Sequence, residues 1–283
     1  MYDTAIIGSG PAGISAAVNL KIHGKNFIWL SGRSVSKKVG QAERIKNYLG
    51  LPDVTGEQLE WTFLNHYEGM GIKLTEEVVN GVYETDGYFT LLAGKNQYEA
   101  KSVILCTGVS AVKPVAGEEE FVGRGISYCA TCDGFLYKGK KIAVLCTEKK
   151  FEHEIEYLAG LAEKVYVMPL YRGYEIKAEN AEIILKQPLS FTGGMRLERV
   201  NFKDKSIEVD GAFILKGSFS PSQLMHGLAV KDGHIAVERD CSTNIAGVFA
   251  AGDCTGRPYQ YAKSAGEGNV AAHSVLQYLA DKK

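Results

Sequence analysis

The 283-residue chain reads as an α/β protein of two dinucleotide-binding-type (Rossmann-like) three-layer domains, the first discontinuous and the second inserted into it. Three observations predict this. An apolar run at residues 4–7 leads through Gly8-Ser9-Gly10-Pro11-Ala12-Gly13 into apolar residues at helical spacing from Ile14 to Ile22. A second apolar run, Phe27-Ile28-Trp29-Leu30, follows, which is the order of a βαβ unit. Laid on itself without a gap, the chain places Ala5-Ile6-Ile7-Gly8-Ser9-Gly10 over Ala143-Val144-Leu145-Cys146-Thr147-Glu148, Leu20 over Leu158, and the second apolar run over Val165-Tyr166-Val167-Met168. A second unit is therefore present, without its glycines. Near the C-terminus, Gly247-Val248-Phe249-Ala250-Ala251-Gly252-Asp253 reads as a buried strand ending in a glycine and a carboxylate, and Ser102-Val103-Ile104-Leu105-Cys106-Thr107-Gly108 ends the same way.

Each element has a local reason. Pro11 opens the first helix, where its missing donor would have been unpaired in any case. The stretch from Gly81 to Tyr98 alternates and contains Asp86-Gly87, which predicts antiparallel strands joined by a turn. Ala262 to Leu279 is helix-like. A first domain of residues 1–112 and 241–283 then encloses a middle domain at 113–240, with Lys113-Pro114 and Glu238-Arg239-Asp240 as the crossings.

With 45% hydrophobic residues the chain has ample material for buried cores, which argues against a disordered or purely structural protein. Lys+Arg 32 against Asp+Glu 33 gives a net charge of −1, so nothing global points to nucleic acid or an anionic membrane. The apolar runs are shorter than a membrane span, and the first strand starts almost at Met1, leaving no room for a signal peptide, so a cytoplasmic protein is expected. Of the six cysteines, Cys106, Cys129, Cys132, Cys146, Cys241 and Cys254, only Cys129 and Cys132 are closely spaced. In a reducing compartment such a pair points to redox or metal chemistry rather than to a structural disulfide framework.

Gly8, Gly10 and Gly13 allow a tight turn, close approach of a diphosphate to backbone N–H groups, and close helix packing, while the helix N-terminus favours negative charge. Ser9, Pro11 and Ala12 belong to the same loop. The acidic residue that normally closes the second strand is absent from Leu30-Ser31-Gly32-Arg33, so an FAD ribose would be held otherwise. A Cys-x-x-Cys unit brings two sulfurs within bonding reach in one turn. No second such unit exists, and His153, His226, His234 and His273 show no ligand spacing, so no metal is expected. Asp133, directly after the pair, is either a proton donor and acceptor for the thiols or a turn carboxylate. Cys106, Cys146, Cys241 and Cys254 read as small apolar residues.

At these residues the chain resembles the low-molecular-weight thioredoxin reductases over nearly its whole length. The matching segments are Gly8 to Gly13, Ile45-Lys46-Asn47-Tyr48-Leu49-Gly50, Thr107-Gly108, Gly125 to Gly134 with Cys129-Ala130-Thr131-Cys132-Asp133, and Gly247 to Asp253 with Gln260. The resemblance implies an FAD site that also involves Gln41, Asn47, Thr107, Gly108, Gly252, Asp253, Gln260 and Tyr261, with Asp253 on the ribityl chain. It further implies a homodimer and a proton-handling role for Asp133 beside the redox pair Cys129 and Cys132; Cys132 is expected to be the sulfur that meets the flavin, and the division of roles between the two cysteines is left open by the sequence.

One region departs from that family. Its second βαβ unit carries glycines and a His-Arg-Arg run for the 2′-phosphate. Here Glu148 stands where a diphosphate would lie, Phe151 fills the close-packing position, and Pro169-Leu170-Tyr171 offers no cation, although Lys149 and Lys150 leave room for an atypical site. Without NADPH a one-electron carrier suffices, and the chain most closely resembles the ferredoxin-dependent flavin thioredoxin reductases. Ferredoxin as donor, thioredoxin as acceptor and FAD as cofactor follow as expectations. Ferredoxins are usually acidic, which makes Lys37, Lys38, Lys46, Arg257 and Lys263 candidate docking cations. Competing readings are a dithiol oxidase using oxygen, an NAD(P)H-dependent reductase with an atypical nucleotide site, and a flavin redox sensor without turnover.

Overall fold

The computed structural model describes residues 1–109, 114–216 and 221–282, Ser222 by its backbone alone. Two compact units emerge, one of Met1–Ser110 with Phe219–Lys283 and one of Ala111–Ser218. In chain order the first unit contributes β1 (Thr4–Ile7), α1 (Pro11–Ile22), β2 (Phe27–Leu30), α2 (Lys37–Gly40), α3 (Gly56–Gly69), β3 (Gly81–Thr85), β4 (Tyr88–Ala93), β5 (Asn96–Ala100) and β6 (Val103–Leu105). The second contributes β7 (Ile126–Ser127), α4 (Ala130–Asp133), β8 (Lys141–Cys146), α5 (Glu152–Ala159), β9 (Lys164–Pro169), β10 (Ala181–Ile183), β11 (Ser190–Gly193), β12 (Leu197–Asn201), β13 (Ser206–Glu208) and β14 (Gly211–Leu215). The chain then returns to the first unit through α6 (Pro221–Leu224), β15 (Val230–Lys231), β16 (His234–Ile235), β17 (Val248–Ala250) and α7 (Tyr261–Asp281).

The first unit is a parallel sheet in the order β17-β6-β1-β2, with Ala5 opposite both Ile28 and Val103. Its strands are short apolar runs because a parallel sheet is covered on both faces, and β1, β6 and β17 are buried along their whole length. Helices α1 and α7 approach so closely that a Cβ on Gly268 would lie 2.1 Å from the carbonyl oxygen of Ala12. Leu20, Trp29, Leu59 and Ile104 fill the core between helices and sheet. A capping box starts α3: Gln58 N–H donates to Thr55 Oγ1 and Thr55 N–H to Gln58 Oε1. The expected antiparallel region is the meander β3-β4-β5, whose first turn places both Asp86 (φ 47°) and Gly87 (φ 89°) in the left-handed region.

The second unit is a parallel sheet in the order β10-β9-β8-β14-β7, with α5 packed through Ile155 and Leu158 onto Val144 and Val165. A three-stranded antiparallel sheet, β11-β12-β13, is attached to it in sequence. A buried ion pair joins Lys216 Nζ to Glu118 Oε1 at 2.7 Å, with side chains 2% and 1% exposed. Tyr128 Oη–H and the Val115 amide donate to the same carboxylate at 3.0 and 2.8 Å, the hydrogen bonding that a buried carboxylate requires.

Of the two expected crossings, Lys113 lies outside the described residues. The other falls elsewhere: residues 221–240 group with the first unit, ahead of Glu238-Arg239-Asp240. The reason is a set of local ties, the Ala229 amide to Asn244 Oδ1 at 2.8 Å, Asn244 Nδ2 to Gly227 O at 2.9 Å, and His234 Nε2 to Tyr259 Oη at 2.5 Å.

Candidate functional site

The glycine loop sits between β1 and α1, and its three glycines serve different ends. Gly8 has φ 114°, and a Cβ there would meet Cys106 O at 2.2 Å; a Cβ on Gly13 would meet Gly8 O at 1.9 Å. Both are demanded by the protein's own backbone, and Trp29 Nε1–H reinforces the turn by donating to Gly8 O at 2.8 Å. Gly10 is extended, with φ −77°, and a Cβ there would find only Ser36 Cβ, at 4.0 Å. Nothing in the fold requires glycine at that position, so the space above it is left for something else, as a diphosphate on a helix N-terminus needs. Ser9 is buried, its hydroxyl 2.9 Å from Ser31 Oγ at the end of β2.

The ends of β6 and β17 converge on this loop. Thr107 follows β6, and its Oγ1 is one of two buried side-chain polar atoms among the described residues with no hydrogen-bond partner. A buried hydroxyl in that condition fits a ligand that supplies the missing bond. Gly252 lies against Ala12, where a Cβ would come within 3.0 Å of Ala12 Cβ, and Asp253 Oδ1 accepts from Ser264 Oγ at 3.2 Å. Gly108 follows directly on Thr107. Asn47 and Gln260 are brought together across 213 residues by Asn47 Nδ2 donating to Gln260 Oε1 at 2.7 Å. Tyr261 Oη–H donates to Lys38 O at 2.8 Å, which ties the start of α7 to α2. Gln41, the residue after α2, is exposed, and its backbone N–H closes that helix on Lys37 O.

Sequence reasoning missed the residues that shape the Gly252–Gly256 turn. Lys263 Nζ donates to Gly252 O, Thr255 Oγ1 and Gly256 O at 2.9, 2.9 and 2.8 Å, and pairs with Glu267 at 3.2 Å. Glu267 Oε2 accepts from the Gly252 amide at 2.8 Å and from Thr255 Oγ1 at 2.9 Å. Lys263 is therefore a clasp on the loop that carries Asp253, at 19% side-chain exposure, and not the free docking cation expected of it. Its spacing to Glu267, four residues along a helix, was the available signal.

In the second unit Cys129 and Cys132 form a disulfide, with Cα atoms 5.3 Å apart. Cys129 Sγ accepts the Cys132 N–H at 3.2 Å and lies 3.7 Å from Thr131 Oγ1. Asp133 is held by Ser127, whose hydroxyl lies 2.6 Å from Asp133 Oδ2 and also receives the Cys129 amide at 3.1 Å. Ser127 was not singled out in the sequence. The other four cysteines are buried, and burial pushes the thiols of Cys146, Cys241 and Cys254 up to about 11, 12 and 11, which keeps them protonated and inert. Among the described residues no three His, Cys, Asp or Glu side chains gather as a metal site.

The loop after β8 is filled by its own side chains. Glu148 pairs with Lys150 at 3.6 Å, and Lys149 with Glu175 at 2.7 Å, so the two lysines that left room for an atypical phosphate site are engaged. Glu152, in the first turn of α5, accepts from Tyr171 Oη–H and the Glu175 amide, both at 2.9 Å. Burial, then the Glu152 carboxylate, pushes the Tyr171 phenol up and keeps it a donor. Phe151 is buried where close packing of a dinucleotide loop needs glycine.

The model of the pyridine nucleotide-disulphide oxidoreductase family matches residues 2–149 and 175–268. A ferredoxin-flavin thioredoxin reductase from Clostridium acetobutylicum is 45% identical, covers 99% of this chain and 98% of its own, and superposes with a TM-score of 0.90. The atypical thioredoxin reductase of Desulfovibrio vulgaris Hildenborough is 30% identical over 100% of this chain and 99% of its own, at a TM-score of 0.74. The thioredoxin reductase of Bacillus subtilis is 28% identical, over 99% of this chain and 95% of its own length.

Proposed function

The chain belongs to the pyridine nucleotide-disulphide oxidoreductases, as a thioredoxin reductase-type flavoprotein that binds FAD, and on that premise we propose that it takes electrons from ferredoxin and reduces the disulfide of thioredoxin. One observation carries the choice of donor: the βαβ unit that would seat NADPH is occupied by Glu148, Phe151, Glu152 and Tyr171. A diphosphate there would face carboxylates at the helix N-terminus, where it needs free N–H groups.

FAD, when bound, accepts electrons singly or in pairs, so two ferredoxin molecules supply what one disulfide consumes. Plant-type ferredoxins near −400 mV and thioredoxin near −270 mV differ by about 130 mV, roughly 6 kcal/mol for two electrons, so the transfer runs downhill. The residues that would hold the cofactor are the loop Gly8 to Gly13 with Thr107 and Gly108, Gly252 and Asp253, Asn47 with Gln260, Gln41 and Tyr261. The first unit is then the FAD-binding domain and the second the redox domain. Two electrons and two protons convert the Cys129–Cys132 disulfide to a dithiol. A thiolate on Cys129 is supported by the Cys132 N–H, which makes it the sulfur that attacks thioredoxin, and Cys132 resolves the mixed disulfide. Asp133 gives and takes the thiol proton. Family membership also supports a homodimer working in the cytoplasm; among the described residues no helix is long and apolar enough to cross a membrane.

The test is anaerobic absorbance of the flavin while NADPH, NADH and reduced ferredoxin are added in turn. Bleaching by ferredoxin alone, followed by re-oxidation with thioredoxin, is expected. Bleaching by NADPH at micromolar concentration would sink the assignment of the donor, and rapid turnover with oxygen and a small dithiol would favour a dithiol oxidase.

A further inference from the structure

We propose that Ser127 is a positioning residue for the thiol chemistry, holding the Asp133 carboxyl beside the Cys129–Cys132 pair whether or not that carboxyl carries a proton. The inference rests on the reading of Asp133 as the group that exchanges the thiol proton, and it names what keeps that group in place.

Ser127 ends β7, where its register opposite Phe213 of β14 fixes the backbone, and it is 6% exposed. Its Oγ lies 2.6 Å from Asp133 Oδ2, 3.1 Å from the Cys129 amide nitrogen and 3.3 Å from the Cys129 carbonyl oxygen. A hydroxyl has one proton to give and two lone pairs to receive with. When Asp133 is a carboxylate, Ser127 donates to it and receives the Cys129 N–H. When Asp133 is protonated, the carboxyl donates to the second lone pair of Ser127, and the serine proton turns to Cys129 O. Both states keep Ser127 Oγ, Asp133 Oδ2 and the Cys129 amide paired, and no heavy atom has to move.

That matters in the exchange step. As Cys129 attacks a partner disulfide, a bond forms between its sulfur and one partner sulfur and the partner's S–S bond breaks. The thiol proton passes to the Asp133 carboxylate and from there to the departing thiolate. Asp133 changes charge within each half of the cycle, and only a group able to both donate and accept stays bonded to it throughout. Ser127 also touches Cys129 through the backbone, so the carboxyl and the attacking residue share one anchor.

The experiment compares the full-length flavoprotein with Ser127→Ala, Ser127→Thr, Ser127→Val, Asp133→Asn and the double variant S127A/D133N. The readout is kcat and KM for thioredoxin with reduced ferredoxin as donor. S127A is expected to lower kcat about 10- to 100-fold, with KM within about twofold, and S127T to recover most of the loss. In the D133N background S127A should cost less than about threefold, because the two act through one hydrogen bond. If S127A does not retain its flavin, Thr and Val, which match in shape and differ in the hydroxyl, decide the matter. Equal rates for S127T and S127V would overturn the proposal, as would wild-type kcat in S127A beside a slow D133N. Wild-type kcat in D133N itself would instead overturn the reading of Asp133, and the positioning role with it.

Discussion

Two βαβ units of one topology lie 138 residues apart in this chain, taking Gly8 against Cys146 as the offset, and they treat the loop tip, the first helical turn and the segment after the second strand in opposite ways. At the tip of the loop the first unit has Gly10, over open space, and the second has Glu148, paired with Lys150. One turn into the helix, Gly13 touches Gly8 O, whereas Phe151 is buried in the core of its own unit. At the end of the second strand, Ser31 bonds to the loop through Ser9, while Tyr171 is drawn onto Glu152 at the helix N-terminus. The scaffold is shared, and ligand binding resides in what is left unfilled. A helix N-terminus attracts an anion only while nothing of like charge stands there, and the second unit places its own carboxylates, Glu148 and Glu152, at that end.

The comparison breaks most visibly at Gly13. A valine there would put atoms inside the Gly8 carbonyl, so Gly13→Val should yield protein with almost no bound flavin, measured as yellow absorbance per mole of protein. Next in size is the clasp on the turn that carries Asp253: Lys263→Met leaves the Glu267 carboxylate half-buried without its cation. This should cost about 1–3 kcal/mol in thermal unfolding and speed FAD release, with catalytic turnover restored by excess FAD. A pH-dependent effect comes from the buried thiols of Cys146, Cys241 and Cys254, whose ionisation burial raises from an ordinary 9.0 to about 11, 12 and 11. The unfolded chain loses these protons first, so their contribution is complete below pH 9 and is lost as pH rises through the window to about 12. A melting temperature that holds or rises across that window would contradict the burial of these thiols, and Cys146→Ala should remove the share of the second unit. Smallest of all is Lys150→Ala, which breaks an ion pair at the surface and should change stability by less than about 1 kcal/mol. Even with Glu148→Gly added, NADPH should bind more weakly than about 1 mM, since Phe151 and Tyr171 remain in place; calorimetry distinguishes this from a site blocked by charge alone.

What the sequence made legible follows from how local each signal is. The apolar runs at 4–7 and 27–30, the glycine loop and the helix after it sit in one stretch of chain, and β1, α1 and β2 occupy those residues. Asp86-Gly87 announces its turn through the φ values it needs. The repeat also located β8 and β9, because their burial enforces the same apolar composition. Other features depend on pairings that the sequence does not display. The meander β11-β12-β13 is part polar and alternates weakly, with exposed Glu198 and Arg199 next to one another. Asn47 and Gln260 meet only once β17 has returned α7 to the first unit. Ser127 looks like any serine before a Cys-x-x-Cys pair until the short α4 turns Asp133 back toward it. Lys263 has the composition of a solvated helix position and is a clasp only because the preceding turn folds over it.

The order β17-β6-β1-β2 has a consequence for how this molecule is made. β17, made after every strand of the second unit, borders β6 of the first sheet, and α7 closes on the very helix that follows the first glycine loop. A ribosome adding about 5–20 residues per second therefore delivers every segment of the disulfide-bearing unit before the earlier half of the chain has its missing wall. On the proposed site, which draws on Gly252, Asp253, Gln260 and Tyr261, cofactor loading is expected to wait for the C-terminal segment, and a nascent chain stalled before Val248 would carry its cysteines without those residues.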